Sequence, residues 1–297
     1  MNLRHNVSAM VTMLMVTAGI LTGCAQSTNN HPQEISIRQW DSKITPTVTP
    51  DPLAINKVVD LFRTPESLRK AEEKAITHCM HARGHTDFIA KRIETFSIRG
   101  HILVLPLSLE NARIRGYAIP EDPEWDAYSA QTARMSNQAN EDYTAGTPKS
   151  EYITGYPGGP SMPEGTCLLE GLKALYGSAE DAVFFETIKH SMLNAYINSY
   201  IDSDEYNSIL REWKTCMSDN FQSEHRTPDE AELKDHDNMN TAIADATCRE
   251  KIDYEGRIKK GLIPYISQFI EDNPHIIAKY TEIKKRGEGN IEKIMNS

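Results

Sequence analysis

The chain has 297 residues, with 42 Asp and Glu against 32 Lys and Arg and a formal net charge of −10. This acidic balance argues against nucleic acid as a partner and against electrostatic attachment to anionic lipid. Hydrophobic residues make up 39% of the chain, low for a compact globule, so elongated helices and polar loops are expected around one sizeable core or two small ones.

The first residues read as an address. Arg4 and His5 precede an apolar run from Val7 to Ile20, which ends in Leu21-Thr22-Gly23-Cys24. That run is too short for a permanent membrane helix, which needs about 20 apolar residues. Residues 1–23 are therefore predicted to be a lipoprotein signal peptide, cut between Gly23 and Cys24. The Cys24 thiol is the expected acceptor of diacylglycerol, and its freed amino group the acceptor of a further chain such as palmitate. Two or three acyl chains anchor stably where one is marginal, at about 0.8 kcal/mol per buried methylene. The expected location is the extracytoplasmic face of the cell membrane. Residues 24–50 are rich in Gln, Ser, Thr, Asn and Pro and are predicted to form a flexible lipidated tether. Residues 51–297 remain as the folded domain.

Within that domain the signals are mostly helical. Asp51-Pro52 opens a short helix to about Phe62. Thr64-Pro65 opens a second, with Leu68, Ala71, Ala75, Cys79 and Met80 on one stripe and Gly84 as its stop. His101 to Leu105 reads as a short strand, and Ser108 to Arg115 as a turn or two of helix. From Gly116 to Gly165 prolines and glycines interleave with Tyr117, Tyr128, Tyr143, Tyr152 and Tyr156. A long connection of this kind is usually functional or disordered; a short helix from Pro123 is expected to interrupt it. Thr166 to Tyr176 reads as a brief helix. Ser178 then caps a helix that runs through Ile201. Asp202-Ser203 starts another through Trp213, Cys216 and Met217. Thr227-Pro228 opens one that leads through Leu233 to Cys248. Beyond it lie kinked helices, interrupted at Gly261, Pro264 and Pro274. The fold class is mainly α, with few short strands at most.

Five cysteines are present. With Cys24 assigned to lipid, Cys79, Cys167, Cys216 and Cys248 remain for an oxidising compartment, where two disulfides are expected among three possible connectivities.

The neighbourhoods of these cysteines form an ordered series: Cys79-Met80 followed by Gly84, Gly116-Tyr117, Gly165-Thr166-Cys167, Trp213-Lys214-Thr215-Cys216-Met217, and Ala244-Asp245-Ala246-Thr247-Cys248. The order resembles a family of uncharacterised extracytoplasmic lipoproteins from actinobacteria, over roughly residues 67–285. Departures are Phe221 in place of a second glycine, Ala118 in place of the last residue of Gly-Tyr-Gly, and Thr166 splitting Gly-Cys. The resemblance implies a helical secreted domain with paired cysteines and implies no activity. The two Cys-Met sites also suggest an internal duplication. The simplest pairing is then Cys79 with Cys167 and Cys216 with Cys248, each stabilising by about 3–5 kcal/mol. The rival, Cys79 with Cys216 and Cys167 with Cys248, ties the halves together.

Chemistry-bearing groups are few. His78, His81 and His85 have helical spacing and could hold Zn²⁺, against a solvated histidine face at a helix end. The Tyr-rich segment is either a glycan- or peptide-binding surface or a loop whose tyrosines pack on the helices beneath. There is no Gly-x-Ser-x-Gly, no His-Glu-x-x-His and no Cys-x-x-Cys. No cofactor and no catalytic residue are expected. The reading is a lipid-anchored, non-catalytic binding or structural module of the cell envelope, with an envelope protein or glycan as partner. The alternatives are a metal-dependent envelope hydrolase using His78 and His81, and an accessory subunit of a transport or secretion complex.

Overall fold

A computed structural model of the chain describes residues 43–92, 107–118 and 123–297. The signal peptide, Cys24 and the strand expected at His101 to Leu105 lie outside the described residues. The first helices are α1 (Ala54–Phe62), α2 (Glu66–Ala82), α3 (Leu109–Arg115), α4 (Pro123–Ala133) and α5 (Asn137–Asn140), which continues into a π-helical turn at Glu141–Ala145. A small hairpin follows, β1 (Tyr152–Thr154) antiparallel to β2 (Ser161–Pro163), with Ile153 opposite Met162. Then come α6 (Cys167–Tyr176), α7 (Ala179–Ser191), α8 (Asn194–Ile201), α9 (Asp204–Phe221), α10 (Pro228–Lys234), α11 (Met239–Lys251), α12 (Tyr254–Asp272) and α13 (Pro274–Met295). The fold is mainly α.

Local chemistry sets most boundaries. Ser108, Ser136, Thr166, Ser178, Ser203, Thr227 and Asn238 each accept a backbone N–H of the helix they open, satisfying donors that the first turn leaves over. Thr166, which splits the expected Gly-Cys pair, is thus the N-cap of α6. Gly84, at φ +90°, stands just beyond the end of α2, a conformation that costs glycine little.

Two helices expected as continuous are broken. The run from Ser178 to Ile201 turns at Met192-Leu193, and both residues are buried. Ala182 to Phe185 and Ala195 to Ile197 are all buried too, and one straight helix between two faces cannot bury so wide a stripe. The run from Pro228 to Cys248 breaks at Asp235–Asn238, where Asn238 accepts from Asn240 and Thr241 and Asp235 accepts from Thr241. Short polar side chains that bond their own backbone compete with helix. Leu233 consequently faces solvent. Gly261 and Pro264, expected as interruptions, lie inside α12; Pro274 does open α13.

The tether also needs correction. Residues 44–50 pack on the helical body instead of standing off it. Ile44 is buried and its N–H donates to Ser199 Oγ at 2.8 Å, while the Thr47 N–H donates to Gln268 Oε1 at 2.9 Å. The Val48 N–H shares the Gln268 acceptor, so one apolar side chain and three backbone donors seat a segment whose composition reads as coil.

The core is aromatic. Phe185 stacks between Tyr176 and Tyr280, with ring centroids at 4.3 and 4.6 Å, and Phe62 meets Tyr280 edge-on at 4.9 Å. Burying such a ring stabilises by about 1.5–3 kcal/mol, with roughly another 1 kcal/mol for each well-placed pair. A smaller cluster of Ile76, Met80, Phe88, Ala139 and Tyr143 sits around Cys167.

Candidate functional site

Two disulfides join the helices in pairs: Cys79 on α2 with Cys167 on α6, and Cys216 on α9 with Cys248 on α11, with Cα atoms 5.5 and 5.7 Å apart. Of the connectivities set out above, this is the one suggested by duplication. Each bridge links a Cys-Met helix to the helix carrying the next cysteine.

Beside the second bridge lies a polar centre. Asp245 stands one turn before Cys248 on α11 and is fully buried. Its Oδ1 accepts from Trp213 Nε1 at 2.8 Å and Arg249 Nε at 2.7 Å; its Oδ2 accepts from Arg249 Nη2 at 2.7 Å and the Tyr117 hydroxyl at 3.1 Å. A carboxylate offers about four acceptor positions, and here every one is used. Burial opposes the charge on Arg249, but Asp245 more than offsets this and holds the guanidinium above its ordinary range. Burial, with Asp245 beside it, pushes the Tyr117 hydroxyl far up. Gly116-Tyr117, Trp213-x-x-Cys216 and Asp245-x-x-Cys248, separate in sequence, therefore meet on one carboxylate. A base with no free lone pair cannot take a proton from a substrate, so this geometry suits a fixed polar staple.

An open cleft of ~700 Å³ borders this centre, lined by Leu107, Leu109 and Ile114 on one side and by Arg249, Tyr254 and Glu255 on the other. It combines an apolar wall with polar groups, as ligand recesses do.

A second buried centre lies near the first bridge. Glu72 on α2 accepts from the Tyr176 hydroxyl at 2.5 Å and from Arg92 Nε at 3.1 Å, and Arg92 Nη2 reaches Glu186 at 2.7 Å. Burial pushes the Glu72 carboxyl up, against the pull of Arg92. Burial works against the charge of Arg92, but Glu186 and Glu72 more than offset it and hold the guanidinium well up.

The histidines do not converge. His78 is exposed, His81 Nε2 donates to the Phe88 carbonyl at 2.8 Å, and His85, beyond Gly84, meets Asp142 Oδ2 at 2.8 Å. His78 and His81 line a groove of ~480 Å³ with Lys70, Lys74 and Lys91. Among the described residues no three His, Cys, Asp or Glu side chains form a metal-holding group.

The Tyr-rich segment is largely built into the body. Tyr117, Tyr143 and Tyr156 are buried, Tyr143 against Phe88 at 4.9 Å and Tyr156 against Phe184 at 6.3 Å. Tyr128 is half-buried and Tyr152 exposed. Most of these tyrosines are core, not a binding surface.

Sequence reasoning missed Asp245, Arg249, Glu72 and Arg92 as interior charges. The signal for the first pair was present: Asp245 and Arg249 are four apart on one helix face, with a tryptophan on a disulfide-linked helix. Comparison with protein-family models, curated proteins and solved structures yields no match. No helix among the described residues is long and apolar enough to cross a membrane.

Proposed function

We propose that the chain is a lipoprotein, anchored through Cys24 to the extracytoplasmic face of the cell membrane, whose helical domain is a non-catalytic binding or structural module of the envelope. One observation carries this reading: the two disulfides use every cysteine except the one in Leu21-Thr22-Gly23-Cys24. Disulfides belong to oxidising compartments, and a leftover thiol at the end of a short apolar run fits a lipid acceptor. Saturation by four donors gives Asp245 a structural role within that module. The resemblance of the ordered cysteine motifs to those of actinobacterial envelope lipoproteins is in keeping with this reading. An envelope protein or glycan is the proposed partner, with the cleft beside Arg249 and Tyr254 as its recess.

The test is mass spectrometry of the mature N-terminus after expression of the full precursor in a bacterium. The expected species begins at Cys24 and carries a diacylglyceryl thioether. Cys24→Ala is expected to stay unprocessed and unlipidated. A mature chain beginning elsewhere with a free Cys24 thiol would overturn the reading.

A further inference from the structure

The short helix α10 spans the gap between the disulfide-linked helices α9 and α11, and its inner side is unusual. Asp229 and Glu232 lie within electrostatic reach of Asp245 and Arg249. The groups that face Asp229 are Glu232 on α10 itself, Arg249 and Asp245 on α11, the Tyr206 hydroxyl on α9 and the Tyr254 hydroxyl on α12. Arg249 is already held bidentate by Asp245 and also lies 3.9 Å from Glu255. One guanidinium thus stands among four carboxylates. Asp229 Oδ1 is buried and has no hydrogen-bond partner among the described residues, a costly state for a charged oxygen. What holds α10 down is slight: Ala231 and Pro228 are buried, while Leu233 is 82% exposed. At the flanks, Asp235 accepts from Thr241 Oγ1 at 2.7 Å and meets His225 Nε2 at 3.1 Å.

We propose that α10 is an acid-closed flap: with Asp229 and Glu232 ionised, seating buries charge that no hydrogen bond to Asp229 Oδ1 offsets, and the helix opens locally; with them protonated it seats. This inference does not rest on the lipoprotein reading. Burial pushes the Asp229 carboxyl up to about 6; Arg249 opposes the shift, and Glu232 and Asp245 add to it. Burial likewise raises Glu232, against Arg249 and with Asp245. A carboxyl raised on seating favours the closed state as pH falls through its folded value, and that contribution is lost as pH rises above it. Neutralising the pair removes the cost of burying their charge, which for Asp229 Oδ1 no hydrogen bond offsets. Local opening of this kind is expected where few apolar contacts hold a segment.

The experiment is hydrogen–deuterium exchange of the full chain at about pH 5.5 and 7.5, normalised to intrinsic exchange rates. Amides of residues 226–234 are expected to be about threefold to fourfold better protected at the lower pH, the size that linkage gives for the Asp229 carboxyl alone. Amides of α13, which carries none of the raised carboxyls, serve as reference and are expected to change less. Asp229→Asn should remove most of the dependence, Glu232→Gln part of it, and His225→Gln little. Equal protection at the two pH values would overturn the proposal, as would a change of the same size in α13. So would an unaltered dependence in Asp229→Asn, or a dependence lost in His225→Gln alone.

Discussion

Individual residues show where the fold departs from its own pattern. At the end of α2 the left-handed position is filled by Gly84, but at the end of α9 it falls on Gln222, at φ 56°. The second Cys-Met helix therefore runs on to Phe221, where the first has its terminating glycine, and is capped by a residue with a Cβ. That conformation costs a non-glycine residue roughly 1–2 kcal/mol. Gln222→Gly is expected to stabilise the protein by about 0.5–1 kcal/mol, less than the full strain because glycine also loosens the unfolded chain. Chemical denaturation would read this as a rise in midpoint at constant slope; a fall would show that the Gln222 side chain itself holds the turn. Asp245 tests the opposite case. Asp245→Ala leaves a buried guanidinium, an indole N–H and a phenol without their acceptor, and should cost about 3–5 kcal/mol. Pairing Asp245→Leu with Arg249→Met should cost less than the two single changes summed, because no lone charge is then left buried. An additive double mutant would rule out direct coupling.

At the scale of elements, the α2–α6 crossing is set by a glycine as well as by the disulfide. A Cβ on Gly171 would come within 2.6 Å of Ile76 Cγ1 and 3.0 Å of the Ile76 backbone N, so the helices touch through backbone. Gly171→Ala should destabilise by about 1–3 kcal/mol through overpacking, despite the better helix propensity of alanine; a thermal midpoint at or above wild type would show that the crossing can widen. Most of these helices could be read in advance from Ser or Thr caps, Pro at first positions and the apolar stripes through Leu68, Ala71 and Cys79. The breaks at Met192-Leu193 and Asp235–Asn238 could not. The first depends on how many sides of a helix end up covered, which is decided by tertiary packing. The second depends on local side-chain acceptors whose partners had to be seen. The Asp245 centre was only half legible: Trp213 and Asp245 stood in the motifs, but their meeting with Tyr117 requires the chain to return after a long connection. Ile44 shows the limit from the other side, since a single apolar residue in polar coil carries too little pattern to be placed.

For the molecule as a whole, charge and burial together dictate how stability should vary with pH. The chain carries a net charge of −10, and self-repulsion of that sign weakens as carboxylates and histidines take up protons. Burial, opposed by Arg92 and Arg249 respectively, raises Glu72 and Glu232, and it lifts Asp229 to about 6. Each of these folded-state values lies above its unfolded value, so each group adds stability as pH falls through its folded value and loses it as pH rises. Other carboxylates act in reverse. Asp142 is opposed by burial but lowered overall by His85, Gln138 and Arg83, and Asp235 is lowered by Thr241 and His225. Their contributions are present above the ordinary carboxylate range and are lost as pH falls below it. The two sets oppose one another only near pH 4. The thermal midpoint should therefore rise from pH 8 toward about 5 and fall steeply below about 4. Asp229→Asn removes the most strongly raised carboxyl that is only partly buried, so it should raise the midpoint at pH 7.5, leave it nearly unchanged at pH 5, and flatten the rise between them. Scanning calorimetry across this range checks all three features. A midpoint highest at pH 8 in wild type would mean that the interior carboxylates are better compensated than their surroundings indicate. An Asp229→Asn curve parallel to wild type would place the dependence in net charge alone.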